Sequence, residues 1–423
     1  MKTYKFKLYK TKHSRRIHWQ INASGSIYNH CITLHKRYYK MFGKHLNMYK
    51  LMKHIAKLRK RIKYWQQVGS QAVQDICQRI DKAYKLFFKQ FNARRGSVAS
   101  RRRRRSEPSA LRTKPPSFKK TRKYKSFTLK QAGYKFLSGN TDKPHQGKIR
   151  IGNRVYKFSK SREIEGKVKT LTVKRNNLGE LFILVVTDCV DESFGVVTGK
   201  IAAFDYGLKT FLTVSDGTSI DSPLFFNQSR NRLKAASRNL SSKKKGSNNW
   251  YKAKDHLNRV YEDVSNKRRD WFWKLAHDLT NKYDVLIFED LNLNGMKRLW
   301  GGKVSDLSFA TFLEILQTVA ANKGKVVHFV DRYYPSSKTC SHCGHIHKEL
   351  SLKDRFWDCP SCKTKDIPRD WNASVNLLRE GTSSLGLGEV REVQLPVAVR
   401  PQNPRSFTAR SMSKVFMYGR FVR

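Results

Sequence analysis

Acidic side chains are scarce in this 423-residue chain, with 32 Asp and Glu against 87 Lys and Arg, a net charge of +55. So few carboxylates leave a strongly basic surface that demands a polyanion. Long apolar runs are also missing. No stretch of about eighteen apolar residues exists, which excludes a spanning helix, and no lipid-facing amphipathic helix is evident that would favour an anionic membrane over nucleic acid. The N-terminus, Met1 to Leu8, alternates apolar and basic residues like a half-buried strand and lacks the apolar core of a secretory signal. The expected address is the cytoplasm, at the nucleoid. Neutralising about ten or more phosphates would make affinity fall steeply with salt.

Cysteine is sparing but not random. Cys31, Cys77 and Cys189 are scattered, as buried small hydrophobes in a reduced compartment are. Cys340, Cys343, Cys359 and Cys362 form two Cys-x-x-Cys knuckles separated by fifteen residues. That spacing lets four thiolates close a tetrahedron around one Zn²⁺, with no open position for a substrate, so the site is expected to be structural. A redox pair needs only one such knuckle, and a disulfide needs an oxidising compartment.

Along the chain, apolar residues recur at helical spacing in 14–42, 46–68 and 71–91, the last with Val73, Cys77, Ile80, Tyr84 and Phe88 on one stripe. Residues 94–116 lose all periodicity. The run Arg101 to Arg105 and Pro108, Pro115 and Pro116 mark a mobile basic linker or an extra clamp on nucleic acid. From Tyr124 to Val190 the period drops to two, with Asn176 to Gly179 as a turn, giving an antiparallel β unit that the first strand could join. Residues 198–290 read as a strand pair turned at Asp216-Gly217, two long basic helices and the strand Val285 to Phe288, an α/β layer. A zinc-sized insert fills 336–365, a helix starts near Asp370, and the last forty or so residues look disordered.

Three acids stand where chemistry would place them. Asp205 ends the apolar run Ile201 to Phe204, and Glu289 ends Val285 to Phe288. Glu289 and Asp290 point to opposite faces of their strand, so only one of them can join Asp205. Asp370 opens a helix, where it can cap it or hold a metal. Carboxylates from neighbouring strand ends and a helix start can bind two Mg²⁺ ions about 4 Å apart. Each acid taken alone also reads as a turn residue, a solvated charge or an N-cap.

These residues resemble the TnpB family, the nucleases of certain bacterial insertion sequences, and more distantly the miniature type V CRISPR effectors. The resemblance rests on Phe204-Asp205-Tyr206-Gly207-Leu208-Lys209, Phe288-Glu289-Asp290-Leu291 and Arg369-Asp370-x-Asn372-Ala373-Ser374-x-Asn376 in the family's order. It also rests on Pro335-Ser336-Ser337 leading into the zinc knuckles, on the basic helix expected from Lys243-Lys244-Lys245-Gly246 through Asn266-Lys267-Arg268-Arg269, and on Ser70-Gln71-Ala72-x-Gln74-Asp75.

The resemblance implies a multidomain α+β fold: an RNase H-like RuvC domain (197–335 and 366–380) with an inserted zinc ribbon (336–365), preceded by a split β-barrel wedge domain (1–12 and 123–196), a helical recognition domain (13–93) and the linker (94–122), with a tail at 381–423. It implies an RNA-guided DNA endonuclease whose Asp205, Glu289 and Asp370 hold two Mg²⁺, with a guide RNA and target double-stranded DNA as partners and a monomer with its RNA favoured. Gln74 and Thr128 match positions that read a short flanking DNA motif, although packing or phosphate contact would equally suit them. Lys243, Lys244, Lys245, Lys267, Arg268 and Arg269 would line nucleic acid. Pro368 replaces the acid usual before the last motif's Arg, and the linker exceeds its usual length. Two rivals remain: a nuclease-inactive RNA-guided repressor, and a transposase, which the knuckles between Glu289 and Asp370 disfavour.

Overall fold

The computed structural model describes residues 1–95, 114–137, 145–189, 198–207, 210–291, 306–351 and 354–387. The Arg101 to Arg105 run, Leu208, Lys209 and residues 388–423 of the expected tail lie outside them. Contacts divide the chain into two units, Met1–Asp191 and Glu192–Arg423.

In the first unit, strand β1 (Thr3–Lys7) leads into helix α1 (Ser14–Phe42), whose left-handed C-cap, Gly43, sits at φ 61°. Helix α2 (Met48–Arg61) follows, then a single turn, Lys63–Gln66, and helix α3 (Ser70–Arg95). One helix was expected over 46–68. The break comes at Ile62, in extended conformation, and beyond it Trp65 is buried with its indole N–H on Ser26 Oγ at 3.3 Å. A straight continuation would give up that burial.

Strands β2 (Ser126–Leu129), β3 (Tyr134–Leu137), β4 (Gln146–Ile151), β5 (Arg154–Ser159), β6 (Val168–Arg175) and β7 (Leu181–Thr187) make two antiparallel sheets, ordered β1-β7-β6-β2 and β3-β4-β5. The first strand does join the later ones, Phe6 facing Ile183. Leu171, Val173, Leu181, Ile183 and Val185 are all buried, as their period of two requires, and they share one core with Ile17, Ile21, Ile76 and Ile80 of the helices. The end of the expected linker is pinned to α1. Asn29 accepts from the Lys119 N–H at 2.9 Å and donates to its carbonyl at 2.8 Å.

The helices also bury a histidine. His35 is 3% exposed, stacked on His45 at 4.9 Å and Tyr84 at 4.6 Å, and burial depresses its pKa to about 4. A base held neutral in the fold takes up its proton only on unfolding. Its contribution is therefore complete above the ordinary value of 6.5 and is lost as pH falls toward 4, about 3 kcal/mol in all. The urea midpoint of this unit should drop between pH 7 and pH 4.5, and His35→Leu should flatten that slope. An unchanged slope in the variant would remove His35 as its source.

The second unit holds a mixed sheet of β8 (Ile201–Tyr206), β9 (Thr210–Val214), β10 (Ser219–Asp221), β11 (Val285–Glu289) and β12 (Val326–Val330), ordered β10-β9-β8-β11-β12. β8, β9 and β10 are antiparallel neighbours, whereas β11 runs parallel to both β8 and β12. Helices α4 (Arg230–Ser241) and α5 (Asn248–Lys282) separate β8 to β10 from β11, and α6 (Phe309–Asn322) precedes β12. Phe204, Leu286 and Phe288 face the core formed with Phe272, Leu275 and Phe312 of α5 and α6. A two-strand ladder, β13 (Phe356–Trp357) with β14 (Ile367–Pro368), leads to the last helix, α7 (Arg369–Ser384), which carries regular structure past the residue 380 expected as its limit. Leu377 and Leu378 of α7 pack on Ala203 and Ile287, on the sheet face opposite α5 and α6.

Candidate metal centres

Face and register bring the acids together. β8 and β11 pair in parallel with Phe204 opposite Phe288, so the next residues, Asp205 and Glu289, leave adjacent strand ends side by side. Because side chains alternate, both follow the face of Ala203 and Ile287, which α7 covers. On α7, Asp370, Ser374, Leu377 and Gly381 share one stripe at spacings of four, three and four, so Asp370 starts the helix on that same face. The fit is close at the far end. A Cβ on Gly381 would lie 2.4 Å from Cγ2 of Ile287. Gly381→Ala should therefore destabilise the unit by about 1–3 kcal/mol through overpacking, read as a lower denaturation midpoint; a neutral result would mean that α7 docks more loosely.

The carboxyls feel one another. Burial raises Asp205 well above the usual carboxylate range, with the charges of Asp370 and Glu289 adding to it and Arg369 opposing. Burial, helped by Asp290, pushes Glu289 up to about 7. Asp370 is gripped by Arg355 Nη1 at 2.8 Å and Arg369 Nη2 at 3.1 Å. Asp290 instead pairs with Arg332, so the strand's alternation separates the two neighbours as expected. Next to Asp205, Tyr206 stacks on Phe288 at 5.5 Å, and its buried hydroxyl has no hydrogen-bond partner among the described residues. Repelling carboxyls, partly withdrawn from water, are a donor set suited to a hard divalent cation.

The four cysteines make the second centre. Cys340 and Cys362 sulfurs are 3.7 Å apart, Cys343 and Cys359 3.6 Å, and all four sulfurs lie within 4.8 Å of one another. A tetrahedron with Zn–S of about 2.3 Å has edges of about 3.8 Å, so the thiols are spaced for zinc. Among the described residues this is the one set of three or more such ligands drawn that close; the three acids share a field over longer distances. The knuckles repeat one backbone design. Gly344 N–H bonds to the Cys340 carbonyl and Lys363 N–H to that of Cys359, both at 2.9 Å, and both residues are left-handed, at φ 76° and 55°. Burial pushes Cys340 up to about 12, whereas the Thr364 hydroxyl brings Cys362 down to about 6.

The residues expected to meet nucleic acid fall into two groups. Gln74 is exposed on α3, and Lys243, Lys244 and Lys245 are exposed in the turn before α5, not in the helix, which starts at Asn248 beyond a Ser247 cap. Lys267 pairs with Asp263 at 3.4 Å, and Arg269 is exposed. Thr128, by contrast, is buried and bonded to Arg79 and to Thr172 Oγ1, the latter at 2.8 Å. Arg268 is half-buried against Asp306 at 3.2 Å and the Ser308 hydroxyl at 2.5 Å. Arg355 went unnoticed in the sequence, where one arginine among so many gives no signal.

Residues 190–299 match a family model described as "Probable transposase", and residues 309–377 match one described as "Cas12f1-like, TNB domain". A Streptomyces pristinaespiralis protein named "Putative RNA-guided DNA endonuclease" is 30% identical over 249 residues, which are 58% of this chain and 59% of that relative. An Escherichia coli K12 protein, "Putative RNA-guided DNA endonuclease InsQ", is 25% identical over 360 residues, covering 80% of this chain and 81% of its own. In fold, the chain is similar to the Cas12f1 chain of a Cas12f1–sgRNA–target DNA complex, with TM-score 0.55 and 16% identity over 87% of this chain and 83% of that one.

Proposed function

We propose that the chain is a member of the TnpB family and, as such, an RNA-guided DNA endonuclease acting in the cytoplasm at the nucleoid. In this reading the mixed sheet with α7 is an RNase H-like RuvC domain, the four-cysteine module is its inserted zinc ribbon, and the first unit combines a split β-barrel wedge with helical recognition elements. One observation carries the proposal: Asp205 and Glu289 leave adjacent parallel strands on the sheet face that α7, beginning with Asp370, also covers.

Asp205, Glu289 and Asp370 would hold two Mg²⁺. Bound there, the ions would supply an acidified water and charge neutralisation at the scissile phosphate. Asp205 and Glu289 are held toward their neutral forms, so they would give up protons as they become ligands. Cation affinity should accordingly weaken as pH falls below about 7. Arg355 and Arg369 orient the Asp370 carboxylate from two directions, and the phenylalanines beneath Asp205 and Glu289 keep water from the other sheet face. A guide RNA would read the target by pairing while the protein reads a short flanking DNA motif, with Gln74 as the exposed candidate. Thr128 would act there through Arg79 rather than directly.

The test begins by sequencing the RNA that copurifies with the protein and reprogramming its variable end toward a plasmid. With Mg²⁺ the complex should cut that plasmid; Asp205→Ala should leave it intact while binding it within a few-fold of the parent. Tight guide-dependent binding by the parent without cutting would instead establish the repressor.

A further inference from the structure

The helix that carries Asp370 is bolted to the first zinc knuckle. Asn372 is fully buried and uses both ends of its amide: Oδ1 accepts from Ser341 N–H at 2.8 Å and Nδ2 donates to the Thr339 carbonyl at 2.7 Å. It thus holds the backbone immediately before and after Cys340. One turn on, Asn376, 2% exposed, donates to the carbonyls of Ser336 at 2.9 Å and Thr339 at 2.6 Å. Arg379 reaches the Ser341 carbonyl from the same side of the helix. The far end of the module is fastened as well, since Arg369 N–H bonds to the Arg355 carbonyl at 2.9 Å while the Arg355 side chain holds Asp370.

Buried amides tolerate little displacement. If the Thr339 to Ser341 backbone relaxed on loss of zinc, Asn372 and Asn376 would be stranded without partners, at a cost large enough to pull the first turn of α7 along with the knuckle. Asp370 lies in that turn. We infer that Asn372 and Asn376 are positioning residues that tie zinc occupancy of the four-cysteine knuckle to the placement of Asp370, so that the zinc site and the carboxylate site bind their cations cooperatively. The inference rests on the metal-binding reading of the acids given above, and it makes the zinc a working condition of the catalytic carboxylate as well as a fold staple.

Coupling between two sites is reciprocal. Mg²⁺ does not compete for thiolates, so it can be used to read the zinc site. The zinc affinity of the full-length protein is measured by equilibrium competition with a zinc-selective chelator, with and without saturating Mg²⁺, while calorimetry reports Mg²⁺ uptake. Mg²⁺ should tighten zinc binding on the order of tenfold in the parent, and the tightening should vanish in Asn372→Ala and in Asp205→Ala. Should Asn372→Ala fail to fold, the parent and Asp205→Ala decide the matter. Mg²⁺ uptake with an unchanged zinc affinity in the parent overturns the coupling alone. Absence of Mg²⁺ uptake overturns the metal reading of the acids, and the coupling with it.

Discussion

Glu289→Gln should abolish DNA cleavage and at the same time make the metal-free protein more stable at pH 8. Burial and Asp290 lift the Glu289 carboxyl from 4.5 to about 7, so the fold binds a proton there that the unfolded chain has already released. For an acid shifted upward, the penalty grows as pH rises from 4.5 to 7 and is complete above 7. At about 1.4 kcal/mol per unit it reaches about 3 kcal/mol, enough to move Tm by several degrees. Glutamine keeps the shape without the charge, so the gain should be present at pH 8, absent at pH 4.5, and cancelled in comparison with the parent once Mg²⁺ stabilises the latter. Thermal scans of both proteins at the two pH values, with and without Mg²⁺, check this. A variant no more stable than the parent at pH 8 without metal would mean that the carboxylate is better solvated than its burial indicates.

The second large effect is expected at Cys340→Ser. Its sulfur is one of four within 4.8 Å, and its flanking backbone anchors Asn372 and Asn376. Structural zinc contributes about 10–16 kcal/mol in small zinc-binding peptides, far more than a single packing contact. The substitution should remove stoichiometric zinc and lower the unfolding midpoint of the second unit by many degrees, whereas Cys189→Ser, outside the cluster, should stay within about 0.5 kcal/mol of the parent. Zinc analysis beside thermal unfolding distinguishes the two. Retention of one zinc per chain by Cys340→Ser would show that a neighbour such as His342 or His345 can replace the thiolate.

What could be read from the chain alone depended on whether the signal was local. Zinc spacing is local, and the four sulfurs converge as the two knuckles required. Asp205 and Glu289 were legible because each ends an apolar run; the period of two sets Glu289 and Asp290 on opposite faces, and only the family resemblance chose Glu289 between them. That Asp370 joins them depends on which sheet face α7 covers, a matter of Gly381 fitting against Ile287 that no short-range pattern reveals. The same limit explains the basic residues. Arg268 reads as one more surface cation until Asp306, 38 residues away, is seen beside it. Thr128 looks like an exposed strand residue until Arg79 and Thr172 enclose it. The Arg369-to-Asn376 stretch shows two asparagines a helical turn apart, a sign of one-sided bonding, but their partners on the zinc knuckle appear only in three dimensions.

The pairing of Phe204 with Phe288 has a mechanical corollary. Slipping β11 by one position along β8 would bring Asp290 to the place of Glu289, turn Glu289 toward the aromatic interior and force Phe288 into the place of Ile287 under α7. The stacked phenylalanine rings, 4.9 Å apart, thus act as an index pin that fixes which carboxylate is delivered. Additions to the chain at the exposed turn of Lys243 to Gly246 should leave that alignment untouched, while a single deletion inside Val285 to Phe288 should disable the protein without removing any acid.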